Sequence, residues 1–157
     1  MFAFMLFVHV FSFAVWLGVS MTFMVWGRAA RGASLEVWAH SWSTLSFLQR
    51  SVVAPACVVT TLTGILLAMS MVQTHSDAGG AVWLMAMEVL GIVSAILTLA
   101  IATPLAGRMG TLAARSREKG ERDPSAEVVR KRLALVGTVA GILLILAVCF
   151  GEMKTAL

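Results

Sequence analysis

Four uninterrupted apolar runs dominate this chain, each close to the twenty or so residues that a helix needs to cross a bilayer. They cover roughly 2–26, 52–72, 82–105 and 133–153. A bilayer core offers no water to backbone N–H and C=O groups, so such runs fold as helices that satisfy their own hydrogen bonds. Only 13% of the 157 residues are charged, about half the share in a soluble domain. The runs leave no stretch long enough for a separate soluble domain. The expected architecture is all-α: one integral membrane domain over 1–157, a four-helix transmembrane bundle. The first run carries no basic residue ahead of it and is followed by Arg28 and Arg31. That is the reverse of a cleavable signal peptide, and the run reads as a permanent span.

Charge asymmetry orients the bundle. Arg28, Arg31 and Arg50 lie between spans one and two, and eight more basic residues, Arg108 to Arg132, lie between three and four. Eleven of the twelve lysines and arginines therefore fall on one side, with only Lys154 on the other. The positive-inside rule makes both basic connections cytoplasmic and puts both termini outside. Alternating direction with short connections gives an up-down-up-down bundle. The net charge of +4 would suit nucleic acid, but the basic residues flank apolar spans and interleave with no exposed aromatics, so no nucleic-acid partner is expected. Cys57 and Cys149 fall in opposite leaflets and cannot bridge.

The connections have their own structure. Leu35, Trp38, Trp42 and Leu45 recur on one face of a helix over about 34–48, with Ser34 as N-cap. Tryptophans beside basic residues suggest an amphipathic helix lying in the inner headgroup layer, between spans one and two. Asp123-Pro124 supplies an N-cap and a proline at the first helical position, so the fourth helix is expected to start there, ahead of its span. Pro104 is expected to kink or end the third helix. Gly137 and Gly141 form a GxxxG, and Thr60, Gly64 and Ala68 a similar stripe; both suggest close helix packing.

Ionisable groups inside a bilayer mark functional sites. His9 lies about seven residues below the outer end of span one, roughly 10 Å at the helical rise. Glu88 lies at nearly the same depth on span three, beside the soft donors Met85 and Met87. Ser12, Phe13, Trp16 and Ser20 share the side of the helix that carries His9. A neutral imidazole there can ligate haem iron or a soft metal, and Glu88 can orient it. The candidate cofactor ligands are thus His9, Met87 and Glu88, and the candidate copper ligands His9, Met85 and Met87. His40 and His75 read as surface residues, and the remaining methionines as apolar filler.

Residues 7–18 have the form H-x6-W-x-G, with His9, Trp16 and Gly18 in the fixed places. This resembles the first helix of four-helix membrane proteins that include CopD-type copper-resistance domains and HemJ-type protoporphyrinogen oxidases. It is most similar to an uncharacterised family of predicted integral membrane proteins, which also ends in a helix closing on Met and Lys, as at Glu152-Met153-Lys154. The HemJ-type likeness implies haem b held by His9. Those enzymes place a lysine four residues after a third-helix tryptophan, and here Trp83 is followed at that distance by Met87. The CopD-type likeness implies copper handling across the outer leaflet. The expected location is a bacterial inner membrane, and the expected role a haem-b-type or accessory subunit of a larger electron-transfer complex, partnered by lipid and other membrane subunits. A purely structural subunit without cofactor and a copper carrier are the alternatives. The chain shows no nucleophile–base pair, phosphate loop or zinc spacing, so it is not expected to be an enzyme on its own.

A periplasm-active reporter fused after Leu157 should be active, and the same reporter near Gly120 silent; the opposite pattern would reverse the orientation.

Overall fold

The structure, a computed structural model, describes residues 1–74 and 78–153, with side chains for 1–71 and 83–151. His75, Asp77 and Lys154 lie outside the described residues, as do the side chains of Glu152 and Met153. Among the described residues the chain is helical and has no strand. The elements are α1 (Phe2–Ala29), a 3-10 turn (Ala30–Gly32), α2 (Leu35–Leu48), α3 (Ala54–Thr74), α4 (Ala78–Ile96), α5 (Thr103–Lys119) and α6 (Pro124–Met153). Wide π turns, Gln49–Val53 and Leu97–Ala102, join α2 to α3 and α4 to α5. Four helical stretches are thus long and apolar enough to cross a membrane. The protein is a multi-pass, all-α four-helix bundle.

Helices two and three extend well beyond their apolar runs because the π turns carry them through two prolines. Pro104 was expected to kink or end the third helix, and the helix does not end there. A proline lacks an N–H, and its ring crowds the carbonyl four residues back. Just upstream of Pro55, the Ala54 N–H reaches five residues back to the Gln49 carbonyl. Just upstream of Pro104, the Thr103 N–H does the same to the Thr98 carbonyl. The Thr103 hydroxyl adds a second bond to that carbonyl at 2.9 Å. The widened turn moves backbone away from the proline ring, and the helix continues.

The residue pairs in contact run antiparallel. Ser12 meets Thr60 and His9 meets Gly64 between α1 and α3. Ser94 donates to the Ala140 carbonyl at 2.9 Å, and Met87 meets Gly151, between α4 and α6. Ser46 meets Gly110 and Gln49 meets Thr103 between the α2 and α5 extensions.

The helix expected over 34–48 is present as α2, with Ser34 at its N-cap position, although its hydroxyl makes no capping bond. Its tryptophan face turns inward. Trp38, Trp42 and Leu45 are buried in one cluster with Met109 and Ala113 of α5 and Ala126 of α6. The apolar partner that a headgroup layer was expected to supply comes instead from α5, in a stretch whose arginines make it read as loop. The Arg122 guanidinium then caps Trp38 at 5.3 Å from the ring centroid and donates to the carbonyls of Arg31 and Ala33. That ties the 3-10 turn to the α5–α6 connection.

The α5–α6 connection is tight. Gly120 takes the left-handed conformation (φ 75°) that ends α5, a backbone state only glycine enters freely. The Asp123 N–H donates to the fully buried Ser116 hydroxyl at 3.0 Å. Its carboxylate then caps α6 by accepting from the Ser125 N–H at 2.9 Å, so α6 begins at the expected Pro124. The Ser125 hydroxyl and amide hold the Asp123 carboxyl below its usual range, because both bonds favour the ionised form.

The α2–α5 seam closes because Gly110 carries no side chain: a β-carbon there would lie 2.8 Å from the Ser46 β-carbon. Serine's β-carbon cannot swing aside, so the helices would have to part. Gly110→Ala should destabilise the protein by about 1–3 kcal/mol, lowering its melting midpoint in detergent by roughly 2–10 °C. Gly18→Ala, in open space, should cause no drop; equal melting of the two variants would refute the seam argument.

Candidate functional site

His9 sits in the seam between α1 and α3. Its Nδ1 lies 2.9 Å from the Thr60 carbonyl and 3.1 Å from the Thr63 hydroxyl oxygen. A carbonyl oxygen only accepts, so Nδ1 carries the proton and donates. The Thr63 hydroxyl is already donating to the Val59 carbonyl at 2.7 Å and offers His9 a lone pair. The tautomer is therefore set: Nδ1 bears hydrogen and Nε2 presents its lone pair. Gly64 makes the approach feasible, because a β-carbon there would stand 3.0 Å from the imidazole Cε1. One turn further along α1, the buried Ser12 hydroxyl accepts from Thr60 at 2.9 Å. The small-residue stripe at Thr60 and Gly64 thus packs against α1.

The other predicted ligands lie elsewhere. Met87 is in the α4–α6 seam, its sulfur 3.3 Å from where a β-carbon on Gly151 would sit. Met85 faces outward, 67% exposed. Glu88, on the same helix, has no hydrogen bond or ion pair with His9, and no group of three His, Cys, Asp or Glu side chains converges among the described residues. His40 is exposed on α2. The sequence grouped these residues by their depth along the helices; the direction each side chain points around its helix was not legible there.

A second feature went unread in the sequence. A cleft of about 170 Å³ opens between α1 and α6 at the basic end. Its rim carries Arg28, Arg31 and Arg130, and its deep end Trp16 and Leu144. The π turns supply its floor, with Gln49 donating to the Thr103 hydroxyl at 3.2 Å and Thr98 beside it. The Arg130 side chain is 8% exposed and forms a two-pronged ion pair with Glu127. Trp42 lines the wall, 6% exposed. Its indole Nε1–H is buried with no acceptor among the described residues. Leaving such a donor unsatisfied costs about 1–3 kcal/mol. Gly137 and Gly141, which suggested a helix contact, face this cleft instead: nothing lies within 4 Å of a β-carbon built on either.

No protein-family model, curated protein or solved structure matches this chain.

The His9 geometry is directly measurable. In selectively ¹⁵N-labelled protein at neutral pH, His9 should show a protonated Nδ1 and an unprotonated, pyridine-like Nε2. Gly64→Ala should perturb that signal by pushing the ring aside. A protonated Nε2 in the wild type would contradict the hydrogen-bond assignment.

Proposed function

We propose that this multi-pass protein is a haem-b-bearing or accessory subunit of a larger electron-transfer complex in a bacterial inner membrane, with both termini on the outer face. One observation carries the reading: the Nδ1–H bond to the Thr60 carbonyl fixes the His9 ring and leaves Nε2 free. Ligating histidines in metal and haem sites are oriented by just such a bond from the second ring nitrogen. His9 would hold the iron through Nε2, and the haem would supply one-electron exchange. Thr60 and Thr63 would keep the imidazole in register, and Gly64 would leave room for it.

Two further features support a place within a larger assembly. Only Ser12 and Trp16 of the 28 residues of α1 are buried, so this helix is peripheral to its own bundle. Its opposite face carries Phe4, Phe7 and Phe11, all exposed, with the Phe7 and Phe11 rings stacked at 6.0 Å. Lipid or another subunit covers that face in a membrane. A copper site is less well supported, since Met85 faces outward and Met87 occupies a seam that His9 does not share.

The experiment is an absorption spectrum of the protein purified with its native partners. A Soret band is expected, lost in His9→Ala and retained in His40→Ala. A colourless wild type, or a band that survives His9→Ala, ends the haem reading and leaves a structural subunit.

A further inference from the structure

We propose that the cleft between α1 and α6 binds one anionic glycerophospholipid drawn from the leaflet at the basic end of the bundle. His9 does not line this cleft, which is independent of the haem reading.

Charge selects the headgroup. Arg28, Arg31 and Arg130 all line the cleft, and no residue lining it is acidic. The one nearby carboxylate in contact with them, Glu127, is committed to Arg130. Guanidinium forks suit phosphate oxygens, and Arg28 and Arg31, which form no ion pair among the described residues, attract an anion. The rim is held in place: Arg122 grips the carbonyls of Arg31 and Ala33, fixing the turn that presents Arg28 and Arg31.

Shape selects the tail. Below the rim the α6 wall is made of small residues, Ala134, Gly137, Ala140 and Gly141. They form a trough that no other described helix of this chain fills, as the open space over both glycines indicates. From Leu133 to Leu144 the trough runs 11 residues, roughly 16 Å at the helical rise. One leaflet of hydrocarbon is roughly 15 Å, half the bilayer core. A cleft with a cationic mouth at one membrane surface and an apolar channel one leaflet deep matches a phospholipid, and does not match a soluble anion or a peptide.

The test uses the full chain in mild detergent, offered phosphatidylglycerol or phosphatidylcholine and read by native mass spectrometry. The wild type should retain one phosphatidylglycerol with at least fivefold preference over phosphatidylcholine. Arg28→Gln with Arg31→Gln should bring that ratio near one. Gly141→Leu should fill the trough and reduce retention of both lipids. Excess glycerol phosphate should not displace the lipid. Equal retention of the two lipids by the wild type overturns the proposal, as does displacement by glycerol phosphate, which would indicate a site for free phosphate. A crosslink from position 137 to a partner protein's helix overturns it too. Arg28 and Arg31 lie at the surface, so that pair decides the question if Gly141→Leu fails to fold.

Discussion

Backbone hydrogen bonding inside a bilayer is the constraint on which this bundle depends, because no water is there to repair a broken turn. Two of the four long helices carry a proline in their interior, and each absorbs it by widening the preceding turn, so that Ala54 and Thr103 donate five residues back. Continuity through Pro55 and Pro104 lets α2 and α5 run on as a pair past the apolar runs. That pair creates the cluster of Trp38, Trp42, Met109 and Ala113 at the basic end. It also places Gln49 and Thr98, both from widened turns, on the floor of the cleft. Had either helix broken, Gln49 and Thr98 would no longer be held on that floor.

Hydroxyl groups in the spans are handled in two ways. Ser20, Thr22 and Thr61 bond back to carbonyls of their own helices, which silences them in an apolar medium. A few reach across a seam: Thr60 to Ser12, Ser94 to the Ala140 carbonyl, Gln49 to Thr103. Bonds of this kind average only about 0.6 kcal/mol in membrane bundles. They contribute little to stability and more to register, since sliding one helix by a residue would strand the Ser94 and Gln49 donors, whereas Thr60 keeps the Ala56 carbonyl of its own helix. The His9 bond belongs with them geometrically, but it differs in leaving a second nitrogen of the same ring unused.

The four spans and the start of α6 at Pro124 were legible because local composition decides them: the length of an apolar run, or an Asp-Pro pair that caps and starts a helix. The path through Pro55 and Pro104 was not, since a proline read locally is a break and only the upstream turn shows otherwise. The partner of the Trp38 and Trp42 face was hidden for a different reason. Met109 and Ala113 lie among Arg108, Arg115 and Arg117, and a stretch so charged reads as loop until the helix it forms is seen. At Gly137 and Gly141 the spacing correctly reported a smooth helix surface, but spacing cannot say whether a neighbouring backbone fills it. Depth along the helix grouped His9 with Met85, Met87 and Glu88. Position around the helix axis, which needs the tertiary contacts, separated them.

Trp16 is where the two candidate sites meet. It lies seven residues beyond His9 on the same face of α1, roughly 10 Å away along the axis, and it is 1% exposed. On one side it packs in a cluster with Val53, Ala56, Cys57, Ala95 and Leu144; on the other it closes the deep end of the cleft. The H-x6-W spacing therefore has a structural consequence beyond the likeness it carries. Two helical turns put the imidazole and the indole on one face, and the indole becomes the partition between a seam built around His9 and a cleft lined by arginines. A bulky, rigid side chain suits that position because it fills the layer while needing only one polar partner of its own. A smaller residue would join the cleft to the interior of the bundle, and lipid or water entering there would reach the α1–α3 seam that keeps the His9 ring in place.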